Sequence, residues 1–145
     1  MTHGLSGREI LNRIRDGAIP LPPYAVLLGV RLVEVDNGRV VFEAEPGEEH
    51  YNPMGVVHGG LAMSLLDFAL GSAIFSTLPA DTVYGTVDVH ARLLRPITKD
   101  TGIVRCEAQI VSSTRTLATS EARVTDANNK ILATGTTACI IRSLV

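Results

Sequence analysis

Residues 59–80 carry a single charged side chain, Asp67, in a run that is otherwise apolar or small. A run of this kind folds either into lipid or into the middle of a protein. Twenty helical residues span about 30 Å, the thickness of a bilayer core. The composition argues for protein. Gly59, Gly60, Gly71, Ser64, Ser72 and Ser76 interrupt the run, and no Lys or Arg stands in residues 44–58 to anchor an entry point. An Asp at mid-bilayer costs about 2.5–3.5 kcal/mol. The segment therefore reads as one long helix over 59–78, ended by Pro79, apolar on nearly every side and covered by protein.

The remaining sequence must supply that cover. Residues 30–35 and 39–45 read as strands joined through Asp36-Asn37-Gly38, a hairpin signal. Residues 46–57, with Pro46, Gly47, Asn52, Pro53 and Gly55, read as loop. Over 82–95 Val83, Val87, Val89, Ala91 and Leu93 alternate with Tyr84, Thr86, Asp88, His90 and Arg92, the pattern of a long half-buried strand. Segment 102–112 places Val104, Cys106, Ala108 and Ile110 on one face. Segment 117–125 does the same with Ala118, Ser120, Ala122 and Val124, and 131–141 closes the chain after a turn at 126–129. Ahead of these, 6–15 reads as a short helix capped by Ser6 with Glu9 three residues on. Gly17 breaks it, and the proline-rich 19–24 is expected to lie extended. The order is helix, strand, strand, long helix, four strands. The last three connections are short enough for antiparallel hairpins.

The expectation is an α+β fold in which a curved antiparallel sheet of about six strands wraps the long helix. Residues 30–145 form that body, and 1–29 pack on it as a helix and an extended segment. One sheet covers a helix apolar on all sides only by curling around it, or with a second copy closing the remainder. A chain of 145 residues, 46% hydrophobic and 19% charged, suits one globular domain. The net charge of −2 and the lack of a basic patch argue against nucleic acid as a partner. Cys106 and Cys139 form no CxxC pair and sit in strand-like runs, as reduced core thiols do, and the first residues lack an apolar signal segment. A cytoplasmic location is expected, with no membrane association. His50, His58 and Asp67 do not have a metal-binding spacing, so no metal site is expected. His90, between Asp88 and Arg92, reads as part of a solvated face.

Two features could carry chemistry. Asp67 has Met63, Ser64, Leu70 and Gly71 as helical neighbours. Loss of solvent there raises a carboxyl pKa. Such an acid is either used or is held by a backbone group or an exposed edge, and the residues alone leave both readings open. His58-Gly59-Gly60 opens the same helix, where backbone N–H groups lack internal acceptors and sit at the positive end of the dipole. Two glycines let a ligand approach that backbone, and they also ease tight packing; both readings stand. Just upstream, Asn52 offers a donor and an acceptor on a loop stiffened by Pro53, or is an ordinary turn Asn.

Taken together, Asn52-Pro-x-Gly-x-x-His58-Gly59-Gly60 followed by Asp67 in the next helix resembles the hotdog-fold acyl-CoA thioesterases. It is most similar to the PaaI-type (phenylacetic acid degradation) group of the 4-hydroxybenzoyl-CoA thioesterase superfamily. Leu94-Arg95-Pro96 at the end of the long strand is similar too, and the resemblance runs from about Val30 to Ile141. It implies an acyl-CoA thioesterase acting on an aryl or a medium- to long-chain acyl group. Asp67, contributed by the partner subunit, would be general base or nucleophile. The Gly59 N–H would polarise the thioester carbonyl, Asn52 and His58 would orient the reacting groups, and Thr86 would help position water. Gly60 would border the substrate, and Arg92, Arg95 and Arg115 would face coenzyme A phosphates. No cofactor is implied, because coenzyme A belongs to the substrate. The family pairs into homodimers, many of which pair again into tetramers. The alternatives are a non-catalytic acyl-CoA binding or sensing module on the same scaffold, and a hotdog hydratase or dehydratase.

Overall fold

In the structure, a computed structural model that describes residues 2–145, the apolar run becomes helix α3, Gly59–Phe75. Before it come α1 (Gly7–Arg15), α2 (Pro23–Leu28), β1 (Val30–Asp36) and β2 (Arg39–Ala44). After it come β3 (Thr82–Leu93), β4 (Val104–Ser113), β5 (Leu117–Thr125) and β6 (Ile131–Ser143). The six strands form one antiparallel sheet in the order β1-β2-β4-β5-β6-β3. The sheet curls around α3, which packs on β2, β3, β4, β5 and β6. This is the hotdog arrangement.

Burial explains the wrap. Leu65, Leu66, Ala69, Leu70 and Ala73 of α3 are buried against Val40, Phe42, Val104, Cys106, Ala108, Ala122 and Val124 of the sheet, and Ile74 against Ala118 and Cys139. Burying a Leu or Ile side chain stabilises by about 1.5–3 kcal/mol. Register shifts leave Val33, Val87 and Val111 as extra residues in β1, β3 and β4. Each bulge bends its strand and raises the local twist, which lets the sheet close on the helix. Gly135 marks a close approach of sheet to helix: a Cβ there would stand 3.3 Å from both Leu66 methyls and 3.2 Å from the His90 carbonyl oxygen.

Three details differ from the sequence expectation. The step from β3 to β4 is no hairpin. Residues 94–103 cross to the far side of the sheet, β4 pairs with β2, and β3 is an edge strand beside β6. Cross-strand pairing favours this choice. Beside β2, Cys106 stands opposite Phe42 in the core, while on the outer face Arg39 pairs with Glu107 at 2.7 Å and Arg105 with Glu34 at 2.6 Å. Next, α3 ends at Phe75 rather than Leu78. The Ser76 hydroxyl donates to the Ala73 carbonyl at 2.7 Å and that of Thr77 to Ile74 at 2.7 Å, so side chains finish the helix before Pro79. Finally, the proline-rich stretch is extended only up to Pro22. Pro23 occupies the first turn of α2, where its missing N–H is no loss, and Gly29 at φ 69° ends that helix.

The N-terminal segment covers one flank of α3. The expected capping box of α1 is present: Glu9 N–H donates to Ser6 Oγ at 3.3 Å, and Ser6 N–H donates to the Glu9 carboxylate at 2.8 Å. Gly7 lies so close to the end of α3 that a Cβ would overlap the Phe75 carbonyl oxygen at 1.8 Å. Leu11 and Ala25 join the core, Tyr24 bonds Ser64 through their hydroxyls at 2.8 Å, and its ring lies 5.6 Å from Phe68. One stripe of α3 stays open: Gly60, Met63 and Asp67, spaced at three and four residues. The outer edge of β3 is open as well, with Val83, Val87 and Leu93 exposed.

Candidate active site

The open stripe begins at the N-terminus of α3, and the preceding loop shapes that end. A bridge between Tyr51 and Val57 closes a tight loop, with Gly55 at φ 80°. Asn52 Oδ1 accepts from Met54 N–H at 2.9 Å and from Val56 N–H at 3.4 Å. These two donors fix the amide orientation and leave the Asn52 NH2 group without an acceptor among the described residues. Val57 N–H donates to the Ile97 carbonyl beyond β3, and His58 N–H to the His50 carbonyl ahead of the loop, both at 2.8 Å, which pins the loop on two sides.

His58 then caps α3. Its Nδ1 accepts from Gly60 N–H at 3.2 Å, so a neutral ring carries its proton on Nε2. That bond leaves Gly59 N–H as the donor with no acceptor among the described residues. Gly59 borders a cleft of about 300 Å³, with Asn52, His58, Leu93, Leu94 and Arg95. Leu93 lies over Gly59; a Cβ at Gly59 would come within 2.5 Å of a Leu93 methyl. The cleft thus joins an unpaired backbone donor at the positive end of a helix to an apolar wall, the combination that stabilises a developing oxyanion beside an apolar group.

Asp67 does not line this cleft. It stands eight residues along α3, which at 1.5 Å per residue is about 12 Å from Gly59 along the axis. It has solvent on its open side, yet the apolar helix and sheet around it push its carboxyl above the ordinary Asp value. Burial is the cause, and no cation offsets it. Thr86 lies on β3, with its hydroxyl 3.8 Å from Cys139 Sγ. Burial also raises the Cys139 thiol, and the Asp67 and Asp88 charges push it the same way. Thr86, Cys139 and Asp67 therefore share one neighbourhood.

The three arginines separate. Arg95 borders the cleft, with one guanidinium nitrogen bonded to the Ile131 carbonyl. Arg92 faces a second, larger recess of about 1000 Å³ together with His90, Glu107, Glu121 and Arg123. Arg115 sits in the turn between β4 and β5 and borders neither space. Among the described residues no three His, Cys, Asp or Glu side chains are grouped as metal ligands. No helix among them is long and apolar enough to cross a membrane.

Two features of this region were not drawn from the sequence. Leu93 and Leu94 form the cleft's apolar wall, and Tyr84 lies on the helix-facing side of β3. Strict alternation along 82–95 puts Tyr84 with the polar residues. The bulge at Val87 reverses the alternation, so Tyr84 and Thr86 face inward before it, and Val89 and Ala91 after it. Gly71, four residues beyond Asp67, was the available signal: a helix position without a side chain leaves room for a ring.

Comparison with known proteins gives the family of this fold. The family model described as "Thioesterase superfamily" matches residues 54–133, more than half of the chain. Human acyl-coenzyme A thioesterase 13 is 31% identical over 111 residues, covering 76% of this chain and 78% of the relative. The 1,4-dihydroxy-2-naphthoyl-CoA hydrolase of Listeria monocytogenes is 25% identical over 105 residues, covering 72% of this chain and 84% of the relative. Among solved structures, a phenylacetic acid degradation-related protein from Ralstonia eutropha superposes with a TM-score of 0.81 at 25% identity, over 90% of this chain and 98% of the other. The chain belongs to the thioesterase superfamily and is a thioester hydrolase.

Proposed function

We propose that this chain hydrolyses acyl-CoA thioesters, with an aryl or a medium- to long-chain acyl group, in a site shared between two copies. The observation that carries the reading is the unpaired Gly59 N–H at the mouth of an apolar cleft. A thioester carbonyl seated there has its oxygen at the helix N-terminus, and Asn52 and His58 border the same carbonyl. Gly60 keeps the approach open. Reacting atoms must come within about 3–3.5 Å, and Asp67 of the same chain lies about 12 Å along the helix from that donor. The two-fold pairing of a homodimer brings the Asp67 of one copy to the Gly59 of the other. The open stripe of Gly60, Met63 and Asp67 and the free edge of β3 support such a pairing; pairing again into tetramers is part of the same reading.

In that site Asp67 acts as general base or as nucleophile. As base, its carboxylate takes a proton from water while the water oxygen bonds to the thioester carbon. The Gly59 N–H stabilises the oxyanion, and its collapse breaks the C–S bond and releases the coenzyme A thiolate. As nucleophile, its carboxylate oxygen bonds to the thioester carbon and the C–S bond breaks, releasing the coenzyme A thiolate and leaving a mixed anhydride that water then hydrolyses to the free acid and the Asp67 carboxylate. Thr86 holds the water in this reading. Arg92, Arg95 and Arg115 are proposed phosphate contacts, and Arg95, beside the cleft, is the best supported. Coenzyme A is part of the substrate, no cofactor enters the scheme, and a cytoplasmic setting suits that substrate. The names of the human and Listeria relatives support a coenzyme A thioester as substrate.

The test is free-thiol release from phenylacetyl-, hydroxybenzoyl-, hexanoyl- and palmitoyl-CoA, with Asp67→Asn in parallel. Release that falls by roughly 10²–10⁴ in the variant, the range for losing a general base, is the expected result. Binding without release from any of them would move the assignment to a binding module. Water addition to an enoyl-CoA would indicate a hydratase.

A further inference from the structure

Tyr84 occupies the side-chain space of a helix position that has no side chain. Gly71 lies in the interior of α3, where glycine costs up to about 1 kcal/mol relative to alanine. A Cβ at Gly71 would stand 2.9 Å from both Cε2 and the hydroxyl oxygen of Tyr84. The ring is braced on its other side by Phe75, at 5.6 Å between centroids. Positions 67 and 71 are stacked on one helix face, with Cβ atoms about 5–6 Å apart. The Cβ direction at Gly71 tilts back toward Asp67. The Tyr84 hydroxyl thus sits one turn from the carboxylate, on its side of the helix. It has no hydrogen-bond partner among the described residues, although a tyrosine with a buried ring ordinarily finds one.

We propose that Tyr84 is a positioning residue for Asp67: its hydroxyl donates a hydrogen bond to the Asp67 carboxylate, directly or through one water, and holds it in the reacting orientation. This rests on Asp67 carrying the chemistry. The other ionisable groups facing this space are the Cys139 thiol on β6 and, beyond the bulge of β3, Asp88, whose carboxylate already accepts from Ala138 N–H at 3.0 Å. Burial first, then the Cys139 and Asp67 charges, push the Tyr84 phenol up to about 12. It therefore stays protonated and can act only as a donor to an anion at any working pH. Gly71 is part of the same device, since any larger residue would push the hydroxyl away.

The experiment measures kcat, KM and the pH profile of acyl-CoA hydrolysis for the parent, Tyr84→Phe, Gly71→Ala and Asp67→Asn, with melting temperatures alongside. Tyr84→Phe keeps the ring and loses only the hydroxyl. The expected result is a drop in kcat of roughly tenfold with little change in KM, the pattern of an interaction made in the reacting state. Removing a donor from a carboxylate disfavours its charged form, so the acid limb of kcat/KM moves to higher pH, by roughly half a unit or more for one hydrogen bond. Gly71→Ala, which displaces the hydroxyl without removing it, gives the same two signatures. A Tyr84→Phe enzyme with parental kcat and an unmoved acid limb, beside an inactive Asp67→Asn, overturns the role of Tyr84 alone. A lower melting temperature with unchanged kcat does the same. An Asp67→Asn enzyme as fast as the parent overturns both this role and the reading of Asp67.

Discussion

The two halves of α3 are alike in composition and opposite in fate. From Ala69 to Ile74 every residue is buried by this chain's own sheet and N-terminal segment. From Gly59 to Asp67 a stripe of Gly60, Met63 and Asp67 faces outward, ending at the cleft with the unpaired Gly59 N–H. The C-terminal half is where one copy completes its own core. The N-terminal half is left open in one copy, and it holds the donor and the acid to which the proposed chemistry is assigned, about 12 Å apart along the helix. In the proposed reading, stability and function are thus divided along a single helix.

Substitutions on either side of this division should separate activity from stability. The largest effect is Asp67→Asn, with the fold intact and turnover lost by the factor given above, read by thiol release and circular dichroism. Leu70→Ala, at the start of the closed half, is its converse. A buried Leu replaced by Ala costs about 2–5 kcal/mol, measured by denaturant unfolding, while activity per folded molecule stays near parental. Gly7→Ala attacks the same half from outside, because its Cβ overlaps the Phe75 carbonyl; a loss of roughly 1–3 kcal/mol is expected from that overlap.

A smaller effect concerns pH. The folded state holds the Asp67 carboxyl above its ordinary value, so it binds protons more readily than the unfolded state does. Ionised Asp67 therefore detracts from stability above the folded pKa, and that penalty disappears as pH falls through the ordinary Asp range. Asp67→Asn should melt slightly higher than the parent at neutral pH, with the difference vanishing in acid. Glu34 behaves in the opposite sense. Arg105 first, then Arg39, hold its carboxyl below the usual value, so its contribution is present at neutral pH and is lost as pH falls through the lowered pKa. Being only half-buried and open to solvent screening, that network contributes little. Arg39→Ala should cost no more than about 1 kcal/mol, and added salt should shrink the difference.

Much of this division can be read from the sequence. Residues 59–80 announce a helix needing cover on all sides, the capping box at Ser6 and Glu9 fixes α1, and the Asn-Gly step fixes the β1–β2 turn. Asn52, His58 and Gly59 are adjacent in sequence and fall together in space because one loop and one helix N-terminus hold them. What escaped the sequence depends on non-local choices. The placement of β4 beside β2 is decided by partners such as Phe42 with Cys106 and Arg39 with Glu107, and β3 is displaced to the edge as a result. The inward turn of Tyr84 depends on one extra residue, Val87, which a two-residue period does not reveal. Ile110 is only partly buried for the related reason that Val111 bulges beside it. The scattering of Arg92, Arg95 and Arg115 over three surroundings follows from sheet curvature, which spacing along the chain does not encode.

The central claim is that the unfinished half of α3 is completed by a second copy, Asp67 of one meeting Gly59 of the other. The most direct measurement mixes Asp67→Asn and Asn52→Ala, each expected to be inactive alone, unfolds and refolds them together, and assays acyl-CoA hydrolysis. In a shared site each mixed dimer has one active site with both defects and one with neither. Activity should then return to about a quarter of the parental rate, since half of randomly formed dimers are mixed and each has one intact site of two. A mixture no more active than either variant alone would place Asp67 and Asn52 in the same copy's site and contradict the account.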